Sequence, residues 1–147
     1  MIQNFASSSN VAFAAYVNIY DIVSTITYTP LWVIKSQLTR KEKAFIPTIF
    51  SQTTKPRAAL FFYQLRNDVA DENLTTGLIF IGDTDYPLGF YDLEIYNNSS
   101  ASNLDKSGLT KLYTGLFNVR GGTNRESVTY SEYKTNDADT ESVYVTI

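Results

Sequence analysis

Gly89-Phe90-Tyr91-Asp92-Leu93-Glu94-Ile95-Tyr96 is the stretch that decides the fold. Tyr91, Leu93 and Ile95 fall on one side of a period-two pattern, and Asp92, Glu94 and Tyr96 on the other. That alternation describes an antiparallel strand with one dry and one wet face. A polar bend, Asn97-Asn98-Ser99-Ser100-Ala101-Ser102-Asn103, follows it and leads to a second apolar run, Leu109 to Val119. The alternation of this run slips around Gly115, as a β-bulge would make it do.

Working outward, Trp32, Ile34, Ser36 and Leu38 share one face and Val33, Lys35 and Gln37 the other. The polar turn Thr39-Arg40-Lys41-Glu42-Lys43 then leads into Ala44-Phe45-Ile46, which predicts a hairpin with a charged tip. Pro47 ends that second strand or confines it to a sheet edge. Ser51 to Pro56 reads as loop. Ala58 to Leu65 is a near-continuous apolar run of strand length, which predicts burial on both faces. Asn67 to Thr76 reads as an acidic loop, Leu78 to Ile81 as a short strand, and Gly82 to Pro87 as a turn set by its Gly, Asp and Pro. Val11 to Val23 suits a strand by its alternation. It also suits a helix through Phe13, Tyr16, Val17 and Tyr20, with Ser9 or Asn10 as a cap. Its β-branched residues favour the strand. Val128 to Tyr130 and Ser142 to Ile147 supply the last strands, and residues 1–10 read as an extended arm.

About eight strands and no clear helix predict an all-β fold, an antiparallel β-sandwich of Ig-like or jelly-roll-like type. The arm, 1–10, would precede a single domain, 11–147. At 147 residues the chain suits one core and can bury about 70% of its unfolded surface. Eleven Tyr, nine Phe and one Trp make it rich in aromatic side chains.

The chain has no His and no Cys. Ser-His-Asp and Cys-His catalysis are therefore closed to it, and zinc loses its two commonest ligands. Asp92 and Glu94 share a strand face and are the nearest approach to a carboxylate pair. Charge is expected on a wet face, so no catalytic residue is assigned. Asp83-x-Asp85 and Asp137-x-Asp139 lack the glycine and distal glutamate of a calcium loop and read as solvated turns. Gly121-Gly122 has no following Lys-Ser/Thr and is no phosphate cradle. No cofactor and no metal are expected. The N-terminus lacks the basic start and apolar run of a signal peptide, and no apolar window reaches membrane-spanning length. A soluble chain with no membrane partner is expected.

Net charge is −3, unevenly spread. Residues 1–60 carry six Lys/Arg against Asp21 and Glu42, a net of +4, whereas residues 61–147 carry a net of −7. Two readings follow: interleaved solvated faces, or a bipolar subunit whose basic edge meets a neighbour's acidic edge. The basic residues are too dispersed for a nucleic-acid footprint. Candidate interface residues are Ile2 and Phe5 on the arm, Arg40, Lys41 and Lys43 at the hairpin, and the outward tyrosines Tyr96, Tyr113, Tyr130 and Tyr144.

Two blocks of the chain resemble a family of small virion proteins of tailed bacteriophages, especially those of Bacteroidetes-type hosts. The first is Leu31-Trp32-Val33-Ile34 with Thr39-Arg40-Lys41-Glu42 and Phe45-Ile46-Pro47-Thr48. The second runs from Gly89 to Tyr96 and continues through Ser99-Ser100, Asn103-Leu104-Asp105, Gly108-Leu109, Leu112, Gly115 and Val119. The N-terminal stretch and the segment Asn67 to Thr76 depart from the family pattern. The resemblance implies a non-enzymatic capsid decoration or cement protein of the phage head. Its partners would be the major capsid protein or other virion subunits, with copies of itself as a further partner. It would be made in the host cytoplasm. A head-to-tail connector or tail component is the alternative within virions. A carbohydrate-binding or fibre domain with exposed tyrosine platforms is the alternative from another class.

Overall fold

The computed structural model describes residues 1–7, 9–17, 29–50, 59–121, 131–134 and 142–145. Their architecture is all-β and sandwich-like, built from two mixed sheets without barrel closure. The first sheet holds β1 (Ile2–Ala6), β9 (Thr110–Gly121), β8 (Gly89–Asn97), β3 (Leu31–Ser36) and β4 (Glu42–Phe45), in that order. The second holds β2 (Val11–Val17), β6 (Ala59–Arg66) and β5 (Thr48–Phe50), with β7 (Leu78–Phe80) also paired to β6. β10 (Ser131–Lys134) and β11 (Ser142–Val145) form an antiparallel pair of their own.

The deciding stretch folds as its pattern requires. Tyr91, Leu93 and Ile95 are buried in the space between the sheets, while Asp92 and Glu94 face outward. β3 and β4 form the expected hairpin, with Trp32 opposite Phe45 and Lys35 opposite Glu42. Its tip closes through Ser36 N–H to Lys41 O and Arg40 N–H to Ser36 O, both 2.9 Å. Pro47 sits where the chain leaves the first sheet and enters the second.

Four expectations are corrected. The sheets are not wholly antiparallel, because β1–β9 and β6–β7 pair in parallel. β6 buries only one face: Ala59, Phe61, Tyr63 and Leu65 point inward while Phe62 is exposed. A period-two strand in a two-layer sandwich has only one inner side, however apolar its sequence. The bulge lies three residues before Gly115, since Ile95 pairs with Tyr113 and Tyr96 with Lys111, leaving Leu112 extra. Finally, the arm is extended but occupied by its own chain, as residues Ile2–Ala6 lie along Phe117–Gly121 of β9.

Aromatic rings fill the middle of the sandwich. Trp32 lies 5.1 Å from Phe61, 5.6 Å from Tyr63 and 5.8 Å from Phe45, between ring centroids. Phe117 completes the cluster at 5.9 Å from Tyr63. The Tyr63 hydroxyl donates to Asn4 Oδ1, and Asn4 Nδ2 donates to Asn118 O at 3.1 Å. One polar chain thus joins β6 of the second sheet to β1 and β9 of the first. Burial pushes the Tyr63 pKa well above its ordinary value, so the hydroxyl stays a donor.

Gly115 has a different task from the bulge. A Cβ there would lie 2.6 Å from the Tyr113 hydroxyl and 2.7 Å from its ring. The glycine leaves room for the Tyr113 ring to lie over it and pack on the core.

Two outcomes are expected. Tyr63→Phe strands the Asn4 amide and should cost about 1–3 kcal/mol, read as a lower urea midpoint at unchanged m. Gly115→Ala should cost about 1–3 kcal/mol by overpacking, and clearly less in a Tyr113→Ala background, as a double-mutant cycle would show.

Candidate functional site

The outward face and edges of the two sheets are where this fold meets its surroundings. β4 lies at an edge of the first sheet. Its Lys43 shares a face with Phe45 and so points inward, where it is buried. Lys43 Nζ donates to Glu72 Oε2 at 2.5 Å and to Phe80 O at 2.8 Å, and stands 4.3 Å from the Tyr86 ring centroid. Glu72 Oε2 also accepts from the Phe80 N–H at 2.8 Å. The ammonium therefore bridges the edge of one sheet to β7 of the other. An inward charge of this kind discourages a further strand from pairing there.

Around this bridge opens a shallow groove of about 550 Å³. Val33, Ala44, Leu74 and Leu104 supply its apolar wall, and Glu42 and Lys106 its charged rim. The carboxylates near it are engaged. Glu42 pairs with Lys106 at 2.9 Å and Asp85 with Lys41 at 2.7 Å. Asp83 Oδ1 accepts from the backbone N–H groups of Asp85 and Tyr86, at 3.1 and 2.6 Å. Among the described residues no group of three His, Cys, Asp or Glu could hold a metal ion. Asp137 and Asp139 lie outside the described residues.

Asp92 and Glu94 also have local partners. Asp92 Oδ1 accepts from Gln37 Nε2 at 2.8 Å. Glu94 accepts from the Tyr96 hydroxyl and, at 3.0 Å, from Lys111 Nζ. The Tyr96 hydrogen bond above all, with Lys111 beside it, holds the Glu94 carboxyl below its usual range. A general acid is tuned the other way. The Tyr96 hydroxyl is pushed up to about 12, chiefly by burial.

The expected interface residues scatter. Ile2 packs against the core and Phe5 is exposed, with the Arg120 guanidinium 4.5 Å from its ring centroid. Arg40 is exposed at the hairpin tip in a left-handed conformation, φ 63°. Lys41 is exposed and paired with Asp85, whereas Lys43 is buried and paired with Glu72. Tyr96 is not outward. It is buried with Leu31, Val33 and Ile46 beneath Leu104 and Leu109 of the following loop. The bulge turns Tyr113 toward the core, so it is not outward either. Tyr130 lies outside the described residues, and so does the side chain of Tyr144 on β11.

Ion pairing among the described residues favours the first of the two charge readings. Lys41 and Lys43 of the basic part pair with Asp85 and Glu72 of the acidic part, within one chain. At these two pairs the basic and acidic sets interleave, and Lys55 and Arg57 lie outside the described residues. The polar loop after β8 is likewise occupied with itself. Asn98 Nδ2 donates to Ser100 O and Asn103 O, and the Asp105 carboxylate accepts from Ser107 N–H.

What sequence reasoning missed is an apolar patch on the outer face of the first sheet. Phe90, Leu116 and Phe5 stand there exposed, on adjacent strands. Phe90 lies opposite Asn118, Leu116 opposite Asp92, and Phe5 opposite Arg120. Period two in β8 already put Phe90 on the wet face. Leu116 needed the true place of the bulge.

The Glu94 contacts predict an acid-side dependence of stability. Its folded pKa lies below the ordinary 4.5, so its contribution is full above that value and is lost as pH falls through the lowered one. Thermal unfolding between about pH 2 and 6 should therefore fall less steeply for Glu94→Gln than for the parent. No protein-family model, curated protein or solved structure compared with this chain matches it.

Proposed function

We propose that this chain is a structural virion protein, a decoration or cement subunit that binds the major capsid protein of a phage head. The observation that carries the reading is the outer face of the first sheet. It sets Phe90, Leu116 and Phe5 in water around Arg120 and Asn118. An aromatic patch with an arginine beside it has the composition of an interface centre. The likeness of residues 31–48 and 89–119 to phage virion proteins supports the same reading. The charge pattern supports an apolar rather than a bipolar contact, because the ion pairs described above close within the subunit.

Such a contact can be small for each copy. On a lattice, many weak contacts of a subunit that itself associates add up through effective concentration. The protein should cosediment with assembled shells far better than with free capsid protein, and the binding should survive high salt. Phe90→Asp should reduce it by at least about tenfold, as loss of a central aromatic anchor does. Failure to cosediment with shells at any salt would refute the proposal. Copies numbering six or twelve per particle, rather than hundreds, would move the protein to the head–tail connector.

A further inference from the structure

The two open ends of the sandwich differ. On one, β4 is sealed. Lys43 points inward, the Tyr86 hydroxyl donates to Glu42 O at 2.8 Å, and Ile46 N–H donates to Leu74 O at 2.8 Å. On the other, β2 pairs with β6 along one side only, and no described residue bonds the backbone on its other side. β2 reads Val-Ala-Phe-Ala-Ala-Tyr-Val, seven residues without charge or proline. A flat, uncharged edge of that length, about 23 Å, is a template for another strand.

We propose that the occupant of this edge is β2 of a second copy of the chain, antiparallel about a two-fold axis at Ala14. Three observations select a second copy. A two-fold needs a self-complementary surface, and this strand has one. With Ala14 at the axis, Ala12 meets Tyr16, Phe13 meets Ala15, and Val11 meets Val17, so each large ring lies beside a small residue. No charge meets its own image, because β2 carries none. The outer face beside it is apolar as well: Tyr16 is 68% exposed and Phe62, opposite Ala14, 41%. Pairing at the axis sets Tyr16 beside Ala12 of the second copy, while Phe62 stays one strand away on β6. Pairing β2 with the sealed β4 of a neighbour would instead require breaking the Tyr86 and Leu74 bonds. The proposal does not rest on the virion reading, since it concerns the free protein.

Sedimentation of the full chain over a range of concentrations, at low and high salt, should show a monomer–dimer equilibrium that salt leaves unchanged. Ala14→Lys puts two ammonium groups opposite one another. It should raise the dimer dissociation constant at least about tenfold while thermal unfolding stays cooperative. The parent has no cysteine, so Ala14→Cys gives an independent reading. Mild oxidation should cross-link it into a dimer faster than Leu38→Cys, an exposed control at the hairpin tip. A parent that stays monomeric throughout, a dimer that Ala14→Lys leaves intact, or equal cross-linking of the two cysteine variants would each overturn the proposal. Shell cosedimentation reports separately on the virion reading, through Phe90 on the opposite sheet.

Discussion

Everything in this fold leans on the ring cluster between the sheets. Trp32 and Phe45 come from one hairpin, Phe61 and Tyr63 from the facing sheet, and Phe117 from β9. Five rings from four strands fix the spacing and offset of the two layers at once. Aromatic pairs of this geometry add roughly 0.5–1.5 kcal/mol each beyond the area they bury. The indole N–H of Trp32 is buried without a partner among the described residues. A buried donor left unpaired costs free energy. The Tyr63 hydroxyl takes the opposite course and finds Asn4, which makes the cluster directional as well as greasy.

From this centre the outer surfaces sort themselves. The first sheet wears charge and hydrogen bonds on most of its outer side, with a second small core of Leu31, Val33, Ile46 and Tyr96 under the loop after β8. Its exposed apolar residues gather near β1, β9 and the start of β8. The second sheet is barer. Ala12, Ala14, Tyr16, Leu60 and Phe62 share its outer side with Thr48 and Gln64, and Arg66 near one end pairs with Asp71 at 3.7 Å. Monomeric proteins rarely leave broad apolar faces in water, and both proposals above start from these two surfaces.

The parts of the structure legible in the sequence are those set by local alternation. β8 and the β3–β4 hairpin could be placed face by face, because each residue's side follows from its neighbour's. β6 could not, since Ala59 to Leu65 is apolar on both sides and a continuous run carries no parity signal. The parallel docking of β1 was invisible for a different reason. It depends on Asn4 meeting Tyr63 and Asn118, contacts between residues far apart in sequence. For the surfaces, Lys43 was readable as inward from its parity with Phe45, but lysine's usual place in solvent argued the other way. Tyr96 has outward parity and is buried by a loop, which no strand pattern encodes. With the bulge at Leu112 rather than Gly115, Tyr113 falls on the core side.

The parallel seam between Ile2–Ala6 and Phe117–Gly121 also dictates when the molecule can be finished. β1 is synthesised 115 residues ahead of its pairing partner, since Ile2 pairs with Phe117. Synthesis at roughly 5–20 residues per second leaves it waiting for many seconds. Closing so long a loop costs entropy before any contact rewards it. Until then β1 lacks the strand on which it docks.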